Sequence, residues 1–222
     1  MRIHPVGRIP TAVCVGITLG LSIFVPLLLL PGVVITALCG LFFRDPDRVS
    51  PVRDGLILAA ADGRVLCVDE AVPPPELGAA PDRLPRVGVF LDLDDVHVNR
   101  VPITGTVMAT AAQEGEFIRA WQPASAERNA RRSALIRTDD GREVVVVQLV
   151  GFIARRIISD LAVGDQVEVG KRFGVIAFGS RVDIYLPPNS VALVGVGQRV
   201  VAGETVLADL QSEEPPRPFA AR

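Results

Sequence analysis

Lysine is almost missing: Lys171 is the only one, although Lys and Arg together number 23 in 222 residues. Amine chemistry with pyridoxal phosphate is a poor match to such a chain, because that cofactor needs a lysine to hold it. Histidine is nearly as scarce, with only His4 and His97, too few for a His-based metal centre, so no metal site is expected. The three cysteines, Cys14, Cys39 and Cys67, form no C-x-x-C and no pairing pattern. That suits a reducing compartment and argues against a disulfide scaffold or a thiolate metal site. There is no excess of basic charge either. The net charge is -2, which gives no field to attract nucleic acid. An apolar content of 49% excludes long disorder.

Much of that apolar content lies at the N-terminus. Residues 11–43 contain no charged residue. As a single helix at ~1.5 Å per residue they would reach about 50 Å, well beyond a hydrocarbon core of ~30 Å. Pro26 and Pro31 interrupt the run and are expected to break it into two helices over 11–25 and 32–43. Arg2 and Arg8 precede it, and Arg44 and Arg48 follow it. Basic residues favour the cytoplasmic side, so basic flanks at both ends point to a hairpin that enters the membrane and returns. The stretch is too long for a signal-peptide core and lacks a small-x-small cleavage site. Residues 1–10 thus read as a leader, and 11–43 as a membrane anchor on the cytoplasmic face of the cell membrane.

Beyond Arg44-Asp45-Pro46 the texture changes to short β-type runs separated by Gly, Pro and Asp. They fall at 56–60, 64–68, 87–91, 96–99, 105–110, 133–137 and 143–149. The best short helix candidate is GFIARRIIS at 151–159, and the proline-containing tail 211–222 is expected to be disordered. An internal echo relates GDQVEVGKRF, starting at Gly164, to GQRVVAGETV, starting at Gly197. Both read G-x-x-V-x-x-G-x-x-hydrophobic, a pattern typical of barrel-sandwich folds. The expected fold is therefore mainly β (α+β), a barrel-sandwich-hybrid-like β domain over 44–210 behind an N-terminal hydrophobic helical hairpin. The carrier function of biotinyl and lipoyl domains does not follow, because Lys171 lacks their usual flanking residues.

Three segments could carry chemistry. AADGRV at 60–65 contains Asp62 and on its own reads as an Asp-Gly turn. DVHVNRVP at 95–102 holds the only histidine of the body. Strand alternation puts His97 and Asn99 on one face, with Val96 and Val98 on the other. Asp92, Asp94 and Asp95 just before it read as a solvated edge. FGSR at 178–181 lacks the G-x-S-x-G of a nucleophile elbow, but Gly-Ser is a junction that self-cleaving pyruvoyl enzymes use.

Taken in order, these segments resemble the phosphatidylserine decarboxylase proenzyme family, in its short bacterial and archaeal branch. The resemblance rests on FFRDP at 42–46, AADGRV at 60–65, DVHVNRVP at 95–102, GFIARRI at 151–157, FGSRVDIYLP at 178–187 and VGQRVVAGETVLA at 196–208. Longer members carry a second histidine three residues after the first, where this chain has Arg100. The resemblance implies self-cleavage between Gly179 and Ser180, with Ser180 as nucleophile and its remnant as a covalent pyruvoyl cofactor that forms a Schiff base with substrate. It implies His97 as general base and acid, and Asp62 as the carboxylate that orients or polarises it. Arg100, Arg155, Arg156 and Arg181 become candidates for the substrate carboxylate and phosphate.

The implied activity is conversion of phosphatidylserine to phosphatidylethanolamine and CO2, with the lipid and the membrane as partners and the two cleaved chains as a heterodimer, possible in a higher oligomer. Two other readings fit parts of the chain. One is a membrane-tethered barrel-sandwich adaptor, although no sustained heptad repeat is present. The other is a serine-type hydrolase using Ser180, His97 and Asp62 without self-cleavage.

Overall fold

The computed structural model describes residues 2–78, 82–152, 156–177, 180–212, 214–215 and 217–220. A two-residue strand β1 (Arg2–Ile3) leads into helix α1 (Pro5–Phe24), a 3-10 turn (Pro26–Leu28), helix α2 (Leu29–Phe42) and strand β2 (Arg44–Asp45). Strands β1 and β2 pair antiparallel, which ties the two ends of the hairpin together. The helices pack through small and hydroxyl side chains: Thr18 Oγ1 lies 3.3 Å from Thr36 Oγ1. A Cβ on Gly32 would fall 2.5 Å from the Thr18 methyl carbon, and one on Gly7 would fall 2.2 Å from Phe43 Cβ. Small residues at such points let helix backbones approach closely.

Two expectations for this region change. The first helix starts at Pro5, so Arg8 lies in its opening turns. Pro31 does not break the chain. It is the third residue of α2, where its missing N–H has no intrahelical acceptor in any case. Pro26 alone marks the reversal. Both helices carry exposed Leu, Ile and Val, including Ile23 and Leu30, and α1 is long and apolar enough to cross a membrane.

The body begins with β3 (Leu56–Leu58), β4 (Gly63–Ala71), β5 (Leu84–Leu91), β6 (Val98–Arg100) and β7 (Gly105–Gln113). The short helix α3 (Ser125–Arg128) precedes β8 (Arg131–Arg137) and β9 (Glu143–Leu149). Then come β10 (Arg156–Ser159), β11 (Gln166–Val167), β12 (Arg172–Ala177), β13 (Ser180–Tyr185), β14 (Arg199–Val200) and β15 (Val206–Asp209). Eight of these strands form one antiparallel sheet in the order β11-β7-β8-β9-β13-β5-β4-β14. It curls into a half-barrel, with β10-β12-β6 and β15-β3 as smaller sheets. The mainly β expectation holds.

The sheet is buried on both faces where the sequence shows a continuous apolar run. In β9, Val144 and Val146 enter the main core, while Val145, Val147 and Leu149 enter a second cluster with Leu135, Leu77 and Tyr185. That is why VVVV reads as a block instead of an alternation. The short helix expected at 151–159 is corrected over its last four residues. Arg156–Ser159 is a strand, with Ile157 opposite Ile176 of β12. β-Branched Ile157 and Ile158 suit that pleated setting better than a helix. Residues 153–155, and with them Arg155, lie outside the described residues.

The internal echo is structural. Its glycines, Gly164, Gly170, Gly197 and Gly203, all have φ between 75° and 92°, a region that favours glycine. Each pair brackets a two-residue strand, β11 or β14, and these two strands lie at opposite edges of the eight-stranded sheet. The edges converge: a Cβ on Gly203 would lie 3.5 Å from Gly170 Cα and 2.9 Å from Arg100 Cδ. Strand edges are thereby covered where the half-barrel approaches closure.

Candidate active site

Ser180 is the first residue of β13 and sits deep in the eight-stranded sheet, opposite Leu91 of β5. Along β13, Val182 and Ile184 point into the main core, whereas Tyr185 belongs to the second cluster. Alternation therefore turns Ser180 inward. Its side chain is fully buried, and among the described residues its Oγ has no hydrogen-bond partner. Such a hydroxyl is unusual, because buried polar groups are nearly always paired. Gly179 lies outside the described residues.

His97 immediately precedes β6. Its backbone O accepts from Ile176 N at 3.3 Å, and Ile176 belongs to β12, the strand just upstream of Ser180. The histidine is thus tied to the chain on the approach to the serine. Its ring is buried against the Phe42 ring at the foot of the hairpin, with centroids 4.2 Å apart. Nδ1 lies 3.0 Å from the Asp95 carbonyl O. A carbonyl can only accept, so Nδ1 carries the proton in the neutral ring and Nε2 is the basic nitrogen. Burial pushes the His97 pKa down to about 4, opposed by the Asp95 carbonyl and carboxylate and reinforced by Arg44. At neutral pH the ring is a neutral base.

Asp62 is buried near this region but does not contact His97. Its Oδ2 accepts from Arg48 Nη2 at 2.6 Å and its Oδ1 from Ala202 N at 2.8 Å. The carboxylate fastens the linker after the hairpin to the second echo turn, and the orienting group on His97 is the Asp95 carbonyl instead. Asp95 itself is paired with Arg199 and accepts from Asp92 N at 2.9 Å. Burial raises the Asp62 pKa, countered by the Ala202 N–H and by Arg48.

The arginine candidates separate. Arg100 is buried, with Nη1 donating to Gly170 O and Nη2 to Pro46 O, both at 2.8 Å. It clasps the seam where the echo turns meet and has no donor geometry aimed at Ser180. Arg181 follows Ser180 but points to the opposite face, where Nε donates to Asp183 Oδ1 at 2.5 Å and Nη2 approaches Cys67 Sγ at 3.2 Å. Gly88 makes room for this buried cluster, since a Cβ there would lie 2.8 Å from Asp183 Oδ1. Arg156 remains exposed, opposite Ala177 at the end of β12. Sequence reasoning missed Phe42 as the wall behind His97 and the Asp95 carbonyl as its anchor. It also missed Gln148, whose Nε2 donates to Asn99 Oδ1 at 2.7 Å. The one available signal was a glutamine inside the apolar run VVVVQLV.

A family model for phosphatidylserine decarboxylase matches residues 35–208. The chain belongs to the phosphatidylserine decarboxylase family. Among family members named phosphatidylserine decarboxylase proenzyme, the one from Cereibacter sphaeroides is 47% identical over 219 residues, spanning 99% of this chain and 94% of the relative. That from Granulibacter bethesdensis is 53% identical over 179 residues, 81% of this chain and 73% of the relative. That from Ruegeria pomeroyi is 45% identical over 208 residues, 94% and 95% of the two chains. The match spans Ser180, His97 and, as far as residue 208, the three sheets of the body. Family membership favours neither the adaptor nor the hydrolase reading.

Proposed function

We propose that this family member is a self-processing lyase that decarboxylates phosphatidylserine to phosphatidylethanolamine at the cytoplasmic membrane surface. The observation that carries the reading is the buried, unpartnered Ser180 hydroxyl on the strand reached from His97 through β12. In processing, Ser180 Oγ adds to the carbonyl carbon of Gly179 while His97 Nε2 takes its proton. The amine of residue 180 leaves and an ester forms. β-Elimination then releases a chain ending in the Gly179 carboxylate and leaves dehydroalanine at 180. Tautomerisation and addition of water expel ammonia, leaving a pyruvoyl group. The setting fits such a group, because a small side chain inside an apolar interior excludes water and competing nucleophiles. When formed, the group supplies a ketone for the substrate amine and a conjugated carbonyl that accepts electrons as CO2 departs.

The chain's own residues supply the rest. His97 carries a proton between the substrate ammonium and the carbon that lost CO2, with Nε2 as the atom that holds it. Arg156 at the rim offers a guanidinium for the lipid phosphate. The first test is mass. The 23.7 kDa chain is expected to yield fragments of 179 and 222 − 179, or 43, residues, the smaller with a blocked N-terminus. Purified protein that decarboxylates phosphatidylserine as a single intact chain would overturn the proposal.

The membrane position has its own support. Basic flanks on both sides of the apolar run support a cytoplasmic position for both hairpin ends. Arg44, at the hairpin's foot, donates to the Asp94 carbonyl, which sets the loop carrying exposed Leu93 beside the hairpin. Trp121 and Phe152 are also exposed, Trp121 lying 5.7 Å from the Phe90 ring near the end of β5. Large apolar residues with arginines beside them suit a bilayer interface. Trp121 is the only tryptophan, so its fluorescence reports this surface alone. In proteoliposomes of the full chain we expect quenching by lipids brominated near the head group and poor quenching by aqueous iodide. The reverse pattern would place Trp121 away from the bilayer.

A further inference from the structure

Asn99 lies on the same face of the chain as His97 and is fully buried. Its Oδ1 accepts from Gln148, but among the described residues its Nδ2 has no hydrogen-bond partner. The pair is held in place by close packing. Asn99 stands opposite Gly174 of β12, and a Cβ on Gly174 would lie 3.1 Å from Gln148 Nε2 and 2.3 Å from Ile158 O. Gln148 in turn stands opposite Val182 of β13. Ser180 is the next inward-facing residue of that strand, one register step away. Gln148 also lines a cavity of about 210 Å³ together with Thr110, Arg132, Ser159 and Phe173. An orphaned amide and a second amide bonded to it, the second lining an open space, thus lie one inward-facing position from Ser180.

We infer that the Asn99–Gln148 pair is the subsite for the carboxylate of the substrate head group, an inference that rests on the decarboxylase reading above. What the pair has to offer is donors: both Nδ2 hydrogens of Asn99 and the second Nε2 hydrogen of Gln148. The group that completes it must be an acceptor. In a serine head group the amine and the carboxylate share one carbon, so an amine held at position 180 puts the carboxylate within one side-chain step. The phosphate is several bonds farther away. Neutral amides suit this acceptor better than arginine does. A guanidinium would stabilise the carboxylate charge that the reaction must discharge as CO2, whereas amides orient the group with less ground-state stabilisation. Arg100 and Arg181, turned to other partners, are consistent with that division.

The test uses the full processed chain in mixed micelles and two lipids that lack an amine and do not react. Phosphatidyl-3-hydroxypropionate keeps the carboxylate, and phosphatidylpropanol lacks it. Direct binding of each labelled lipid gives a carboxylate preference, expected at roughly ten- to a hundredfold for two or three hydrogen bonds to a charged group. Asn99→Ala and Gln148→Leu are each expected to lose most of that preference, with phosphatidylpropanol binding and self-cleavage unchanged. Asn99→Asp, the same size but acidic, is expected to reverse it. Asn99→Ala removes the unpaired Nδ2 but also leaves Gln148 Nε2 without its acceptor, so some loss of thermal stability is expected in either case and the carboxylate preference is the readout that decides. A purely structural pair would keep the preference. An unchanged preference in the folded variants overturns the inference, as does failure of all three to fold. Wild-type protein without phosphatidylserine turnover would instead overturn the underlying reading.

Discussion

Ser180→Ala is expected to accumulate as a single 23.7 kDa chain with no measurable decarboxylation. Alanine can form neither the ester nor the ketone, and Lys171, the only lysine, sits in an exposed turn, so no other side chain can supply an equivalent electron sink. The change leaves no polar atom unpaired and removes one that is, so stability is expected to hold or rise slightly. A denaturing gel, an intact mass and a melting curve check all three points. Turnover by the folded variant would exclude any role for position 180 as the source of the reactive carbonyl.

His97→Gln is the second large effect. Loss of a positioned general base commonly reduces a rate by about 10²- to 10⁴-fold, and here both self-cleavage and decarboxylation are expected to fall. Time courses of cleavage separate the two roles, since normal processing without turnover would confine His97 to the second step. The wild-type pH profile follows from the lowered pKa. The neutral ring is the base, so the cleavage rate is expected to stay level from neutral pH down toward pH 5 and to fall near the folded pKa of about 4. Stability follows the same group. Between the unfolded value near 6.5 and the folded value near 4, the unfolded chain binds more protons, so stability decreases as pH falls through that window. For a fully buried ring the change is roughly 3 kcal/mol, present above pH 6.5 and lost below pH 4. Denaturant titrations of wild type and His97→Gln at pH 7 and pH 4.5 are expected to converge at the lower pH. A wild type equally stable at both pH values would contradict the buried neutral assignment.

Some elements could be read from local pattern. The hairpin was visible because an uncharged run with basic flanks has few other uses, although Pro31 misled, since proline breaks a helix only beyond its first turn. The echo glycines were visible because a positive φ favours glycine. The run at 151–159 was misread in its last four residues, because only pairing with β12 decides that the two isoleucines sit in a sheet.

The amino-acid sequence by itself determined the class of scaffold and singled out the candidate pair, Ser180 and His97. A Gly-Ser junction and a solitary body histidine are residue types that self-cleavage chemistry requires, and short β runs between turn residues leave few folds open. The tertiary structure alone decided partnerships. It gave Asp62 to Arg48 and Ala202, Arg100 to the carbonyls of Gly170 and Pro46, and Arg181 to the far face of its strand. It also placed Phe42 behind His97 and joined Asn99 to Gln148 across 49 positions. The reason is register. Which face a strand residue shows, and which distant strand lies opposite, depend on long-range pairing that shifts every side chain when it slips by one residue, and no local pattern encodes that choice.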